Sequence, residues 1–181
     1  MVVRSKSSLI EELYDEYHKD VYHFALYFTN NKEEAEDITQ DTFIKVIKNM
    51  NQLKDMSKRK TWILSIAKNT AIDLKRKQKF TQFLPQILHA TRQQDTFGES
   101  HDTRLVNIEN WGNIQEALLK LKPHYRSIVI LRALKELTVR ETADILGCSD
   151  AKVSVDFHRA VNKMRIELRV EEGWDYLEKS K

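Results

Sequence analysis

The chain has 181 residues, 41% of them hydrophobic and 31% charged, which is polar for a globular protein yet too apolar for disorder. Four glycines and two prolines are too few for the tight turns of a sandwich, a barrel or a Rossmann sheet, and this leaves an all-α fold. The net charge is only +3, but it is segregated: residues 9–53 hold four Lys and Arg against ten Asp and Glu, whereas residues 54–79 hold nine against two. A basic block of that size attracts phosphate backbones, although a solvated helix face has the same composition.

In chain order, Leu13, Tyr17, Val21, Phe24 and Phe28 recur at steps of four and three and mark one face of a first helix. Asn30-Asn31 ends it. Asn31 is the expected cap of a second helix, with Glu34 in its third position and Glu33, Glu36 and Asp37 suited to a helix N-terminus. That helix is expected to turn Ala35, Ile38, Phe43, Val46, Ile47 and Met50 to a core, leaving Asp37, Gln40, Asp41, Ile44, Lys45 and Lys48 on its other surface. Asp37 and Asp41 are like charges four residues apart, which disfavours an isolated helix; the face fits either solvent or a basic partner. No His accompanies Glu33, Glu34, Asp37 and Asp41 at ligand spacing, so no metal site and no cofactor are read here.

A basic loop, Leu53 to Lys60, leads to a third helix with Ser57 as its expected cap. It carries Thr61, Trp62, Ile63, Ile66, Ala67, Thr70, Ala71 and Leu74, and ends in Lys75-Arg76-Lys77-Gln78-Lys79. Trp62 among Lys58, Arg59, Lys60, Lys68, Lys75 and Arg76, with the amide of Asn69, suits single-stranded nucleic acid; Trp62 as plain core is the alternative. Periodicity is lost over residues 81–110, which contain Pro85, Gly98 and a polar stretch from Thr91 to Thr103; they read as a flexible linker with one helical turn near Gln86 to His89. Helical pattern resumes near Asn113 with Ile114, Ala117, Leu118 and Leu121, stops at Lys122-Pro123, and restarts with Ile128, Leu131 and Leu134.

Thr138 to Glu141 has the form of a capping box opening a two-turn helix. Gly147 tolerates the left-handed conformation at its end, and Ser149 can cap a last helix bearing Val153, Phe157, Ala160, Val161, Met164 and Leu168 on one face. This is the helix-turn-helix arrangement, whose second helix enters the major groove. Its outward residues are read as Lys152, Ser154, Val155, Asp156, His158, Arg159 and Lys163. The organisation is therefore two small helical domains, 1–80 and 111–170, with a linker at 81–110 and a tail at 171–181.

Four strings in order, Asp37-Ile38-Thr39-Gln40-Asp41-Thr42-Phe43, Thr61 to Asn69, Asp73 with Arg76-Lys77, and the helix-turn-helix ending His158-Arg159-Ala160, resemble the extracytoplasmic-function sigma factors of the bacterial sigma-70 family. The resemblance spans residues 9–79 and 113–168 and implies a non-enzymatic chain that directs core RNA polymerase to promoters. It implies that Asp37, Ile38, Gln40, Asp41 and Lys45 meet the clamp helices of the β′ subunit. Lys54, Ser57, Lys58, Arg59, Lys60, Trp62 and Asn69 would then hold a flipped base of the −10 element, with Lys75, Arg76 and Lys79 along its backbone. Residues 152–163 would read the −35 element, and the C-terminal domain would touch the β flap. Ser154 stands where relatives usually carry Arg or Lys, and Asp156 places on the recognition helix a carboxylate that repels phosphate.

The lone Cys148, which fits a reducing compartment, together with the absence of an apolar run of about 18 residues or a signal-like N-terminus, predicts a cytoplasmic chain without membrane insertion. With no phosphate loop or third domain, the expected regulator is an anti-sigma protein, which can itself be membrane-anchored. A helix-turn-helix regulator with a sensing or dimerising N-terminal domain would leave the acidic and basic helices unexplained. A metal-dependent nuclease would need a convergent carboxylate set.

Overall fold

The computed structural model describes residues 6–82 and 108–168. Among them are seven α-helices and no strand: α1 (Lys6–Thr29), α2 (Lys32–Asn49), α3 (Arg59–Gln82), α4 (Ile108–Lys120), α5 (Pro123–Val129), α6 (Val139–Leu146) and α7 (Asp150–Leu168). Two 3₁₀ turns, Met50–Gln52 and Met56–Lys58, join α2 to α3, and a π-type turn, Ile130–Leu134, prolongs α5. Most of the 81–110 linker, the turn expected at Gln86 to His89 and the 171–181 tail lie outside the described residues.

Helices α1, α2 and α3 pack against one another because each turns one apolar stripe inward. Leu13, Val21, Phe24 and Phe28 of α1 meet a core that includes Ile38 and Val46 of α2 and Ile63, Leu64 and Ala67 of α3. Asn30 breaks α1 by adopting φ 54°, a left-handed conformation that Asn tolerates, and its N–H bonds the Leu26 carbonyl at 2.8 Å. The Asn31 side chain then accepts from the Glu34 N–H at 2.9 Å, as expected of the cap. Ile47 departs from expectation: it is exposed, because one residue past Val46 rotates about 100° off the buried stripe. The cap before α3 is also corrected. Asp55, not Ser57, accepts the Ser57 N–H at 2.9 Å, and α3 opens two residues later and runs past Lys79 to Gln82.

In the second half α4 begins at Ile108, ahead of the expected Asn113, and Pro123 occupies the first turn of α5, where its missing N–H costs nothing. The capping box forms in full: the Glu141 N–H bonds Thr138 Oγ1 and the Thr138 N–H bonds Glu141 Oε2 at 2.8 Å. Gly147 takes φ 68°, so the chain reverses into α7, whose Lys152 N–H bonds Ser149 Oγ at 3.3 Å.

The two halves share one continuous apolar core, from Leu13 in α1 to Met164 in α7. Arg126 of α5 is buried at their junction, and the acceptors of its hydrogen bonds are carbonyl oxygens. Its guanidinium donates to Phe28 O at 2.7 Å near the end of α1, and to Leu118 O at 3.0 Å, Leu121 O at 3.2 Å and Leu119 O at the end of α4. It also lies over the Phe28 ring, 5.1 Å from the centroid. Burial pushes its pKa down to about 10, so it remains charged at neutral pH. Around it, Gln115 Nε2 donates to Tyr27 O at 2.8 Å, Trp111 packs edge-on against Tyr27, and Lys135 pairs with Asp20. Burial raises the Asp20 pKa, but Lys135 and Lys60 outweigh it and hold the carboxyl below its usual value.

Arg126→Met keeps most of the side-chain bulk and strips four carbonyls of their donor. It is expected to lower the stability of the full chain by about 3 kcal/mol, the scale for breaking a buried charged network. Urea unfolding of the chain with Trp174→Phe, followed by fluorescence of the two remaining tryptophans, Trp62 in one half and Trp111 in the other, measures the loss and tests whether the halves then unfold separately.

Candidate nucleic-acid and partner interfaces

Helix α2 shows solvent a stripe made of Asp37, Gln40, Asp41, Ile44, Ile47 and Lys48. The stripe is acidic at Asp37 and Asp41 and apolar further along, with Ile44 and Ile47 both more than a third exposed. Two residues expected there belong elsewhere. Ile38 is 1% exposed and part of the core, and the Lys45 ammonium donates to Thr70 Oγ1 of α3 at 2.8 Å. Ile38 therefore supports the stripe from below rather than meeting a partner.

The loop before α3 and the first turns of that helix enclose a cleft of about 350 Å³, lined by Gln52, Leu53, Lys54, Lys58, Thr61, Trp62 and Ser65 among others. It offers one aromatic face, two ammonium groups, two hydroxyls and one amide, with the carboxylates of Asp55 and Asp144 also on its wall; the aromatic face and the ammonium groups are the chemistry that suits an unstacked base with its phosphate. Trp62 packs partly on the core and partly lines the cleft. Asn69 is exposed two turns further along α3. One lining residue comes from the other half: Asp144 of α6, whose Oδ2 lies 3.7 Å from Lys58 Nζ.

Not all the expected basic residues face outward for DNA. Arg59 donates to Tyr17 Oη at 2.8 Å and pairs with Glu16 at 3.2 Å, and Lys60 pairs with Asp20 at 3.5 Å. Lys75 donates to the buried Glu34 at 2.8 Å, where Gln78 also binds at 2.9 Å. These three cations tie α3 to α1 and α2. Lys54, Ser57, Lys58, Arg76 and Lys79 are exposed, Arg76 with a 3.0 Å pair to Asp73.

On α7, Lys152, Ser154, Val155, His158, Arg159 and Lys163 are exposed as expected. Lys163 sits over the Tyr125 ring, 5.5 Å from its centroid. Asp156 is corrected: only 3% exposed, it points inward and does not stand on the reading face. Its Oδ2 is 2.8 Å from Lys152 Nζ and 3.0 Å from His124 Nε2 of α5, and its Oδ1 is 3.6 Å from Arg159. Those bonds, Lys152 first and His124 next, hold its carboxyl below the usual range. The carboxylate that a linear reading sets against phosphate is thus neutralised by two cations of its own helix.

An acidic and apolar stripe, a basic aromatic cleft and a helix-turn-helix on one helical chain define a two-part protein of the transcription machinery. The sequence matches Sigma-70 region 2 over residues 13–81 and Sigma-70, region 4, over residues 111–164. It is 36% identical over 171 residues to the ECF RNA polymerase sigma factor SigX of Bacillus subtilis (strain 168), covering 90% of this chain and 86% of that protein. It is 34% identical over 162 residues to the RNA polymerase sigma factor YlaC of the same organism, covering 88% and 90%. Its fold is like that of RpoE in the co-crystal structure with the anti-sigma factor NepR from Bartonella quintana, with a TM-score of 0.70 at 20% identity over 90% of this chain and 98% of that one. CnrH in complex with the cytosolic domain of CnrY is similar too, with a TM-score of 0.62 at 18% identity over 88% and 87%. The chain belongs to the extracytoplasmic-function sigma factors of the sigma-70 family and acts in promoter-directed transcription as an RNA polymerase sigma factor. The match across residues 13–81 disfavours a regulator with a sensing N-terminal domain. Sigma factors contribute recognition rather than chemistry, and among the described residues no helix is long and apolar enough to cross a membrane.

The Asp156 network has a definite pH signature. A carboxyl held low in the fold contributes stability above its unfolded value, and that contribution is lost as pH falls through the folded value. The urea midpoint of Asp156→Asn should therefore lie below that of the parent at pH 7, and the gap should shrink toward pH 3. A gap of constant size across that range would show that the carboxylate charge is not what stabilises this turn.

Proposed function

We propose that the chain binds core RNA polymerase through the exposed stripe of α2 and promoter DNA at two places. Asp37, Gln40, Asp41, Ile44 and Ile47 form the polymerase face, where the acidic end meets basic groups and the isoleucines supply apolar contact. The cleft at Trp62 takes an unstacked base of the −10 element, with Lys54, Lys58 and Asn69 around it, and Arg76 and Lys79 follow the backbone. Helix α7 reads the −35 element through Lys152, Ser154, Val155, His158, Arg159 and Lys163. The observation that carries this reading is the cleft itself, which gathers an aromatic face and two cations within the region 2 match. The chain supplies no catalytic residue, and its place of action is the cytoplasm, where the polymerase and the promoter are. An anti-sigma protein is its proposed regulator, in keeping with the structural relative RpoE, which was solved with the anti-sigma factor NepR.

Reversal of both Asp37 and Asp41 to Lys should abolish co-purification with core polymerase while leaving the fold intact, since exposed substitutions cost under ~0.5 kcal/mol. Retention of core binding at moderate salt by that variant would refute the polymerase face. Asn69→Ala should weaken promoter opening more than duplex binding, and Lys152→Ala should do the reverse. Permanganate footprinting and gel shift separate the two, and equal effects of both changes on a fully paired duplex would remove the division of labour.

A further inference from the structure

Between Ala151 and Lys163, helix α7 carries one carboxylate, Asp156, and that one is buried. Its oxygens are shared among three basic side chains: Oδ2 serves Lys152 and His124 of α5, and Oδ1 lies 3.6 Å from Arg159. The exposed charges left on this stretch are Lys152, Arg159 and Lys163, so the face suits a polyanion. Helix phase sets what stands between them. Val155 comes nine residues before the buried Met164, about 180° round the helix, and so points straight away from the core. It is 49% exposed, and the exposed Ala151 lies one turn before it on the same side. Two apolar side chains thus occupy the middle of a basic face, in the turns of a helix-turn-helix that meet base edges. Lys152 and Arg159 lie about 40–60° to one side of Val155, the side on which Asp156 tethers both. An exposed valine gains nothing from a phosphate, whereas thymine alone among the bases presents a methyl group in the major groove.

We propose that Val155 is the specificity-determining residue of α7, reading a thymine through its 5-methyl group, and that Asp156 is a positioning residue that draws Lys152 and Arg159 aside onto the flanking phosphates. This rests on the reading of α7 as the helix that enters the major groove. An untethered lysine or arginine at either position reaches guanine as readily as phosphate and competes for the base edge. Tied to a buried carboxylate, each keeps one direction, and its freedom is lost before DNA arrives rather than on binding. Sequence then enters through a methyl contact, while the ammonium and guanidinium groups set the register without regard to sequence.

The test uses the full chain assembled with core RNA polymerase. The probe is a fluorescein-labelled duplex that this complex enriches from a pool of randomised sequence, with binding read by anisotropy and the fold of each variant by circular dichroism. Each thymine of the duplex is replaced in turn by deoxyuridine, which removes one methyl group and no hydrogen-bonding atom. At one position this change is expected to weaken the parent about fourfold, the worth of one buried methyl group. In Val155→Ala that step is expected to vanish. Lys152→Ala and Arg159→Ala should each weaken the enriched, deoxyuridine and scrambled duplexes by a common factor and leave the step in place. Asp156→Asn should bind the scrambled duplex more tightly and lose preference for the enriched one, whereas a merely structural role would weaken both alike. A step at no thymine, a step that survives Val155→Ala, or an unchanged preference in Asp156→Asn would overturn the proposal. If the step is missing while Lys152→Ala still weakens binding, α7 remains the duplex reader and only this inference fails. If changes at Val155, Lys152 and Arg159 all leave binding to the enriched duplex unaltered, the reading of α7 fails and the proposal with it.

Discussion

One buried guanidinium sets the geometry on which the rest depends. The last carbonyls of a helix have no partner within it and carry the negative end of its dipole. Helix α1 ends at Thr29 and α4 at Lys120, and both ends are turned toward Arg126. A single planar fork serves Phe28, Leu118, Leu119 and Leu121 at once, which an ammonium with three tetrahedral donors could not match. No carboxylate is needed to neutralise it, because two helix ends solvate the charge. Since α1 belongs to the first half and α4 and α5 to the second, satisfying these groups also fixes where α6 lies against α3.

The charges of the chain divide into those that build the fold and those left to act. Arg59, Lys60 and Lys75 lie in the basic block but are committed to Glu16, Asp20 and Glu34. Asp156 is spent inside the helix-turn-helix, holding α5 and α7 together through His124 while it organises Lys152 and Arg159 on the exposed side. What remains exposed includes the acidic and apolar stripe of α2, the ammonium groups of Lys54 and Lys58 at the cleft, Arg76 and Lys79 toward the end of α3, and the polar face of α7. A surface of that kind recognises several macromolecules without performing chemistry.

The helices themselves were legible in the sequence, because stripes such as Leu13, Tyr17, Val21, Phe24 and Phe28 repeat locally and caps such as Asn31, Thr138 and Gly147 act on their neighbours in the chain. The site was legible in outline and wrong in detail wherever a distant partner decides. Lys75 finds Glu34 across 41 positions, and Arg126 finds Phe28 across 98; neither spacing leaves a local trace. A signal for Arg126 did exist. It stands four residues before the buried Ile130 and three after Pro123, in phase with the core, so a charge at that position had to find buried acceptors. Ile38 fails because a motif shared by a family includes the residues that support a surface as well as those that touch a partner, and Asp156 because its burial is set by His124, 32 positions away.

The junction between the halves and the candidate DNA faces differ in their response to salt. Strand binding displaces counterions from phosphates and weakens steeply as ionic strength rises. The junction rests mainly on Arg126 bonded to carbonyls, on apolar packing and on the Tyr27–Trp111 pair, which salt screens little. Of its ion pairs, Lys58 with Asp144 is open to the solvent's ions, whereas Lys135 with Asp20 is largely buried. Raising the salt therefore weakens contacts to DNA while leaving the arrangement of the two halves in place.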